Sequence, residues 1–135
     1  FLDDTIKNNI AFAENIESIN ENRVWEALKA AQLFDFVNLS RNKLDTIIGE
    51  KGTRMSAGQL QRLAISRALY EDFDLIILDE SLNALDNENE KKILKVLKSL
   101  QNKSKTIILI SHHNSNLTNC DKIYKIQDKK FLQDT

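Results

Sequence analysis

Apolar residues recur at helical spacing over two stretches of the chain. Val24, Leu28 and Ala31, with Trp25 beside them, predict a helix from about Asn22 to Phe36. Leu60, Leu63, Ala64 and Ala68 predict a second helix, opened at Gly58 and ended near Glu71–Asp72. Beyond Asp74 the pattern changes. Asp74–Glu80 (DLIILDE) and Lys105–Ser111 (KTIILIS) each hold an unbroken apolar run, which predicts strands buried on both faces, as in a parallel sheet. Between them, Asn87–Gln101 carries Ile93, Leu97 and Leu100 on one side and Lys91, Lys92, Lys95 and Lys98 on the other. That is an amphipathic helix with a solvated lysine face. Strand, helix, strand makes a right-handed, parallel βαβ unit.

The remaining segments are less regular. Residues 1–13 read as extended chain and a turn, with Ile6, Ile10 and Phe12 on an apolar face. Glu14–Glu21 is polar and loop-like, and Val37–Leu44 is a short helical or irregular piece. Thr46–Gly52 (TIIGEKG) is a loop whose Gly49 and Gly52 flank Glu50 and Lys51 with turn chemistry. A short helix is expected around Ser115–Asn119 and a last strand at Lys122–Ile126, with Phe131–Leu132 as a hairpin partner through an Asp128–Lys130 turn. No internal repeat or low-complexity tract is present.

Composition narrows the class. The 135 residues are 41% hydrophobic and 29% charged, suited to one soluble globular domain or a large piece of one. Lysine and arginine (19) balance aspartate and glutamate (20), so there is no electrostatic case for nucleic acid or an anionic membrane surface. The one cysteine, Cys120, has no disulfide partner in the chain and reads as a small buried hydrophobe. No apolar run has the length of a membrane span. The chain opens at Phe1 inside an apolar pattern and holds Met55 as its one methionine, so the expectation is a segment of a longer product.

Candidate chemistry sits at three points. Ser56, Ala57, Gly58 and Gln59 form a small polar turn leading into a helix. Such a turn is either an ordinary serine cap or an anion site, because the first N–H groups of a helix lack internal partners and the dipole is positive there. Asp79 and Glu80 end the first apolar strand, and His112 follows the second. In open α/β sheets ligands bind outside the carboxyl ends of strands, and adjacent carboxylates repel unless a cation or a reaction uses them. A phosphate placed there would find in Asp79 a ligand for Mg²⁺ and in Glu80 a carboxylate able to polarise an attacking water. His112 could donate a hydrogen bond to the same phosphate. Each residue also has an ordinary reading, as a strand-end charge or a surface histidine. His113 should point to the other strand face.

Taken together, these residues resemble the nucleotide-binding domain of ATP-binding cassette (ABC) transporters. MSAGQLQR (55–62) is similar to the family's LSGGQ signature and its following Gln-Arg. LIILDE (75–80) resembles the Walker B strand with its catalytic glutamate, SLNALD (81–86) the D-loop, and SHH (111–113) the switch histidine. The four occur in the family's order and at its separations. TIIGEKG resembles the exporters' TxVGExG segment, which faces the membrane domain, and FLDDTIKNNIAF the segment after the Q-loop. The resemblance implies an exporter-type ABC ATPase: a partial P-loop NTPase α/β fold with a parallel sheet core, helices and an α-helical subdomain. Residues 1–72 would be the remainder of the helical subdomain with the exporter loop and signature helix, and 73–135 part of the RecA-like core.

The resemblance also implies partners. Two such domains pair head to tail, so Ser56, Ala57, Gly58, Gln59 and Asp86 would serve ATP bound to the second domain, while Asp79, Glu80 and His112 serve their own ATP and Mg²⁺. Thr46–Gly52 and the helical subdomain would meet a transmembrane domain at the cytoplasmic face of the membrane. Three residues depart from the family pattern. Ala57 stands for the first signature glycine, which requires a negative φ there, and Leu82 and Asn83 stand for small hydroxyl residues. No GxxxxGK[ST] segment occurs, and the Q-loop glutamine and aromatic adenine platform are also missing. In the family these precede the matched region, so truncation is the expected explanation. The expectation for the isolated chain is a soluble piece without ATPase activity, self-associating through exposed strand edges.

Overall fold

Helix α4 (Ala57–Tyr70) lies between two apolar cores and contributes to both. Leu63 and Tyr70 pack into a helical cluster with Ile6, Ile10, Val24, Leu28, Leu33, Val37, Leu44 and Ile48. Ile65 faces a second cluster built from Ala31, Ile76, Leu78, Leu82, Ile93 and Leu97. Leu69 touches both. A computed structural model describes the whole chain except residues 13, 102–104, 114–116, 119, 128–129 and 135. Among the described residues, no helix is long and apolar enough to cross a membrane.

The first segment is more helical than its sequence pattern suggests. Thr5 caps a short helix, α1 (Ile6–Ile10), by accepting from the Asn8 amide at 3.2 Å. Ile6 and Ile10 are buried, but Phe12 is not on that apolar face: it is half exposed, with the Arg67 guanidinium stacked on its ring. Arg67 also stacks on Phe1, and its Nε and Nη2 donate to the backbone and side-chain oxygens of Asn9 at 2.6 and 3.1 Å. Burial lowers the Arg67 pKa, yet a guanidinium stays charged at any ordinary pH. Asn9 is itself fully buried and satisfied by Leu2 and Thr5.

The helix expected over Asn22–Phe36 is two helices, α2 (Glu21–Ala30) and α3 (Phe34–Leu39). Gln32 breaks it by adopting a left-handed φ of 58°. The Gln32 amide then bonds Lys29 O at 3.1 Å and the Leu33 amide bonds Leu28 O at 2.9 Å. That is the hydrogen-bond pattern of a Schellman C-cap, with Leu28 and Leu33 both buried as its apolar pair. Glutamine occupies the position that glycine normally takes, so the stop carries no sequence signal. Arg62 Nη1 donates to Gln32 O at 3.0 Å and secures the turn. Trp25 is half-buried edge-on to Phe34, as expected of a core residue.

The Thr46–Gly52 segment is a loop tied to the start of the chain by a bridge between Thr5 and Ile47. Gly49 and Gly52 take φ of 81° and 76°, and a Cβ on Gly52 would lie 2.3 Å from Leu60, so both glycines are required here.

Strands β1 (Leu75–Asp79) and β2 (Thr106–Ile110) pair in parallel, Leu75 opposite Thr106 through Asp79 opposite Ile110. Helix α5 (Asn87–Gln101) connects them with Ile93 and Leu97 inward, which completes the expected βαβ unit. Burial on both faces is not observed. Ile76 and Leu78 are buried under the helices, whereas Leu75, Ile77, Ile108 and Ile110 face outward and stand 45–57% exposed. An unbroken apolar run suits two covered faces, and among the described residues one face is covered. Strands β3 (Ile123–Gln127) and β4 (Lys130–Asp134) form a separate antiparallel hairpin, where the last strand at Lys122–Ile126 and its partner Phe131–Leu132 are expected. Of the helix expected at Ser115–Asn119, Leu117 and Thr118 alone are described, and the centre of the Asp128–Lys130 turn falls outside the described residues. Cys120 is partly buried, and burial raises its thiol pKa.

Candidate functional site

The start of α4 is a complete capping box. Ser56 Oγ accepts from the Gln59 amide at 3.2 Å, and Gln59 Oε1 accepts from the Ser56 amide at 2.8 Å. The cap leaves the Ala57 and Gly58 amides without an intrahelical acceptor and the Ser56 hydroxyl proton free to donate outward. Ala57 is absent from the residues with positive φ, so its methyl group is tolerated as the first helical residue.

Gly58 is required for a reason the sequence pattern did not supply. A Cβ on it would lie 2.8 Å from the carbonyl oxygen of Ala84. The loop after β1 therefore packs directly on the first turn of α4, and only glycine admits that approach. One turn along the helix, Gln61 Oε1 accepts from the Ala84 amide at 2.9 Å. Arg62, next along, reaches back to Gly58 O at 3.3 Å as well as to Gln32. The Gln-Arg that follows the signature thus has two distinct structural jobs.

At the carboxyl ends of the strands, Glu80 and His112 meet. His112 Nε2 lies 2.6 Å from Glu80 Oε1, and both side chains are solvent-accessible. The second carboxylate oxygen, Oε2, accepts from Asn83 Nδ2 at 3.4 Å. Parallel pairing is what brings them together, because the Glu80 amide still donates to Ile110 O at 3.0 Å, two residues before His112. Glu80 has a left-handed φ of 48°, a conformation that costs a non-glycine residue about 1 kcal/mol and tends to persist at functional positions.

Asp79 ends β1 opposite Ile110 with its side chain exposed. Asp86 has a local role: its Oδ1 caps α5 by accepting from Glu88 and Asn89 amides at 3.1 and 3.0 Å, and its Oδ2 accepts from Asn89 Nδ2 at 2.6 Å. The Asn89 amide, with the Asn89 side chain, holds the Asp86 carboxyl below the usual carboxylate range. His113 is exposed, its amide bonded to Ser111 Oγ at 3.0 Å. Sequence reasoning placed Asp79, Glu80 and His112 at the strand ends, where they lie, but missed the tie that Gln61 makes and the contact of Asn83 with Glu80. The only available signal was the presence of Gln61 and Asn83 in recognised motifs.

A strand-end carboxylate facing a histidine across a parallel pair, with the intervening loop seated on a capped helix, fits the α/β architecture in which ligands bind at the carboxyl ends of strands. Residues 1–83 match the family model described as ABC transporter, and the chain belongs to that family. It is 42% identical over 132 residues to an ATP-dependent lipid A-core flippase of Pectobacterium atrosepticum, covering 98% of this chain and 22% of that protein. It is 43% identical over 127 residues to the ATP-dependent lipid A-core flippase of Escherichia coli K12, covering 94% of this chain and again 22% of the relative. Among solved structures, a bacterial Atm1-family ABC exporter with ATP bound superimposes with a TM-score of 0.89 at 30% identity, over 98% of this chain and 23% of that one. The expected family and its α/β fold are thereby established.

Proposed function

We propose that this chain is the signature-to-switch portion of an ABC exporter's nucleotide-binding domain, and that the whole protein hydrolyses ATP to drive transport across a membrane. The observation that carries the reading is the 2.6 Å contact of His112 with Glu80 at the ends of adjacent parallel strands, beside a loop bonded to the signature helix. In phosphoryl transfer the protein mainly positions groups and stabilises charge. Glu80 accepts the proton of, or orients, the attacking water, held by Asn83 on one oxygen and His112 on the other. His112 links that carboxylate to the terminal phosphate. Asp79 presents a single exposed carboxylate, which fits Mg²⁺, an ion that keeps several waters and takes one or two protein oxygens. When bound, the metal neutralises charge on the phosphates.

Ser56, Ala57, Gly58 and Gln59, with Asp86 in the loop that follows β1, serve the nucleotide of a second domain in a head-to-tail pair. The Ala57 and Gly58 amides and the Ser56 hydroxyl are the donors for its phosphate. Thr46–Gly52 meets the transmembrane domain at the cytoplasmic face of the membrane. Residues 1–72 belong to the helical subdomain and 73–135 to the catalytic core, a division supported by the two apolar clusters that meet at α4.

The test is Glu80→Gln in the full-length protein carrying this chain: ATP turnover should fall at least about a hundredfold, the low end for loss of a general base. Retained turnover overturns the assignment. The isolated chain, which contains no GxxxxGK[ST] segment, is expected neither to bind ATP tightly nor to hydrolyse it. Micromolar affinity by calorimetry would refute that.

A further inference from the structure

The geometry points to Gln61 as a positioning residue for Glu80. It holds the loop Ser81–Asp86 on the signature helix, so that the turn serving one nucleotide and the carboxylate serving the other move as one body. The inference rests on the ATPase reading above and deepens it.

The path is continuous. Gln61 Oε1 accepts from the Ala84 amide at 2.9 Å. Ala84 is the neighbour of Asn83, whose side chain touches Glu80 Oε2 and whose amide donates to Glu80 O at 3.2 Å. Leu82, between Glu80 and Asn83, is buried in the second core, so the loop is pinned from beneath as well. On the helix side, Ala84 O sits where a Gly58 Cβ would be, 2.8 Å away. The loop is therefore seated on α4 through both polar groups of one peptide residue: its N–H by a side chain, its C=O by the absence of one. Glu80 sits in a left-handed conformation that the surroundings must hold in place. Gln61 is the one side chain of α4 whose hydrogen bond reaches that loop among the described residues.

Three forms of the full-length protein decide it: wild type, Gln61→Leu, which keeps the side-chain size but loses the acceptor, and Gln61→Glu, which restores an acceptor. ATP turnover is measured from low to saturating ATP, melting temperature is measured alongside, and amide exchange is followed at Ala84. Gln61→Leu should lower kcat about fivefold with KM within about twofold, leave Tm nearly unchanged and speed Ala84 exchange about tenfold. Gln61→Glu should recover most of kcat and the protection of Ala84. Unchanged kcat in Gln61→Leu, or a loss that follows Tm and is not rescued by glutamate, overturns the positioning role. Unchanged Ala84 exchange overturns the contact itself. A wild-type protein without turnover refutes the ATPase reading and the catalytic part of this inference with it, leaving Ala84 exchange to judge the contact alone.

Discussion

In residues 1–70, Ile6, Val24, Leu28, Leu33, Val37 and Leu63 are all fully buried, and Asn9, Glu14 and Gln32 each accept a hydrogen bond from a side chain of α4. In residues 74–134, Leu75, Ile77, Ile108 and Ile110 stand in a row on the open face of a two-stranded sheet, and Tyr124 and Ile126 are exposed on the hairpin. The first region is richer in apolar residues and buries them, and the second leaves part of its smaller share exposed. The helical region satisfies itself: Arg67 is clamped by Asn9 and two phenylalanine rings, and Tyr70 donates to Glu14 at 2.8 Å while accepting from the Asn20 amide at 3.3 Å. Its stability is internal. The sheet has apolar area that another layer would cover, and the proposed site lies at strand ends that face solvent. The packed core and the proposed site are thus spatially divided, with α4 in contact with both.

The contrast can be broken most forcefully at its centre. Leu63→Ala should cost about 3 kcal/mol in chemical denaturation, since it empties a fully buried site, while Ile77→Ala on the open sheet face should cost about 1 kcal/mol or less. Equal costs would mean that the two regions are not distinct. A smaller effect is expected at Arg67→Lys, about 2 kcal/mol, because an ammonium cannot make both Asn9 bonds and stack on Phe1 and Phe12 together. A loss below about 0.5 kcal/mol would show the clamp to be incidental. The least change in stability is expected from Ile77→Lys with Ile108→Glu, an opposite-charge pair across the open face. That pair should convert a self-associating chain into a monomer in sedimentation while the unfolding midpoint barely moves. A wild-type chain that is already monomeric at high concentration would argue against an adhesive face.

Much of this was legible beforehand. The βαβ unit, its crossover helix and the strand-end placement of Asp79, Glu80 and His112 follow from periodicity and run length, which depend on neighbours in sequence. The helix stop at Gln32 was not legible, because a Schellman turn normally announces itself with glycine and here Arg62, 30 residues away, secures a glutamine. Phe12 was assigned to an apolar face by spacing, yet a cation drew its ring to the surface. The reason for Gly58 was hidden likewise: the small-residue pattern suggested a ligand, and the nearest obstacle to a side chain is Ala84 O of the same chain.

By itself, then, the sequence determined the family, the βαβ unit and the strand-end placement of the candidate site residues, since motifs and apolar periods are local and survive in one dimension. Tertiary structure alone decided which groups touch: His112 with Glu80, Gln61 with Ala84, Arg62 with Gln32. Those contacts join residues 23 to 32 positions apart, and a hydrogen bond's direction and length are set by packing that no spacing rule contains. The open face of β1 and β2 belongs to the same category, because whether an apolar run is covered depends on what lies above it.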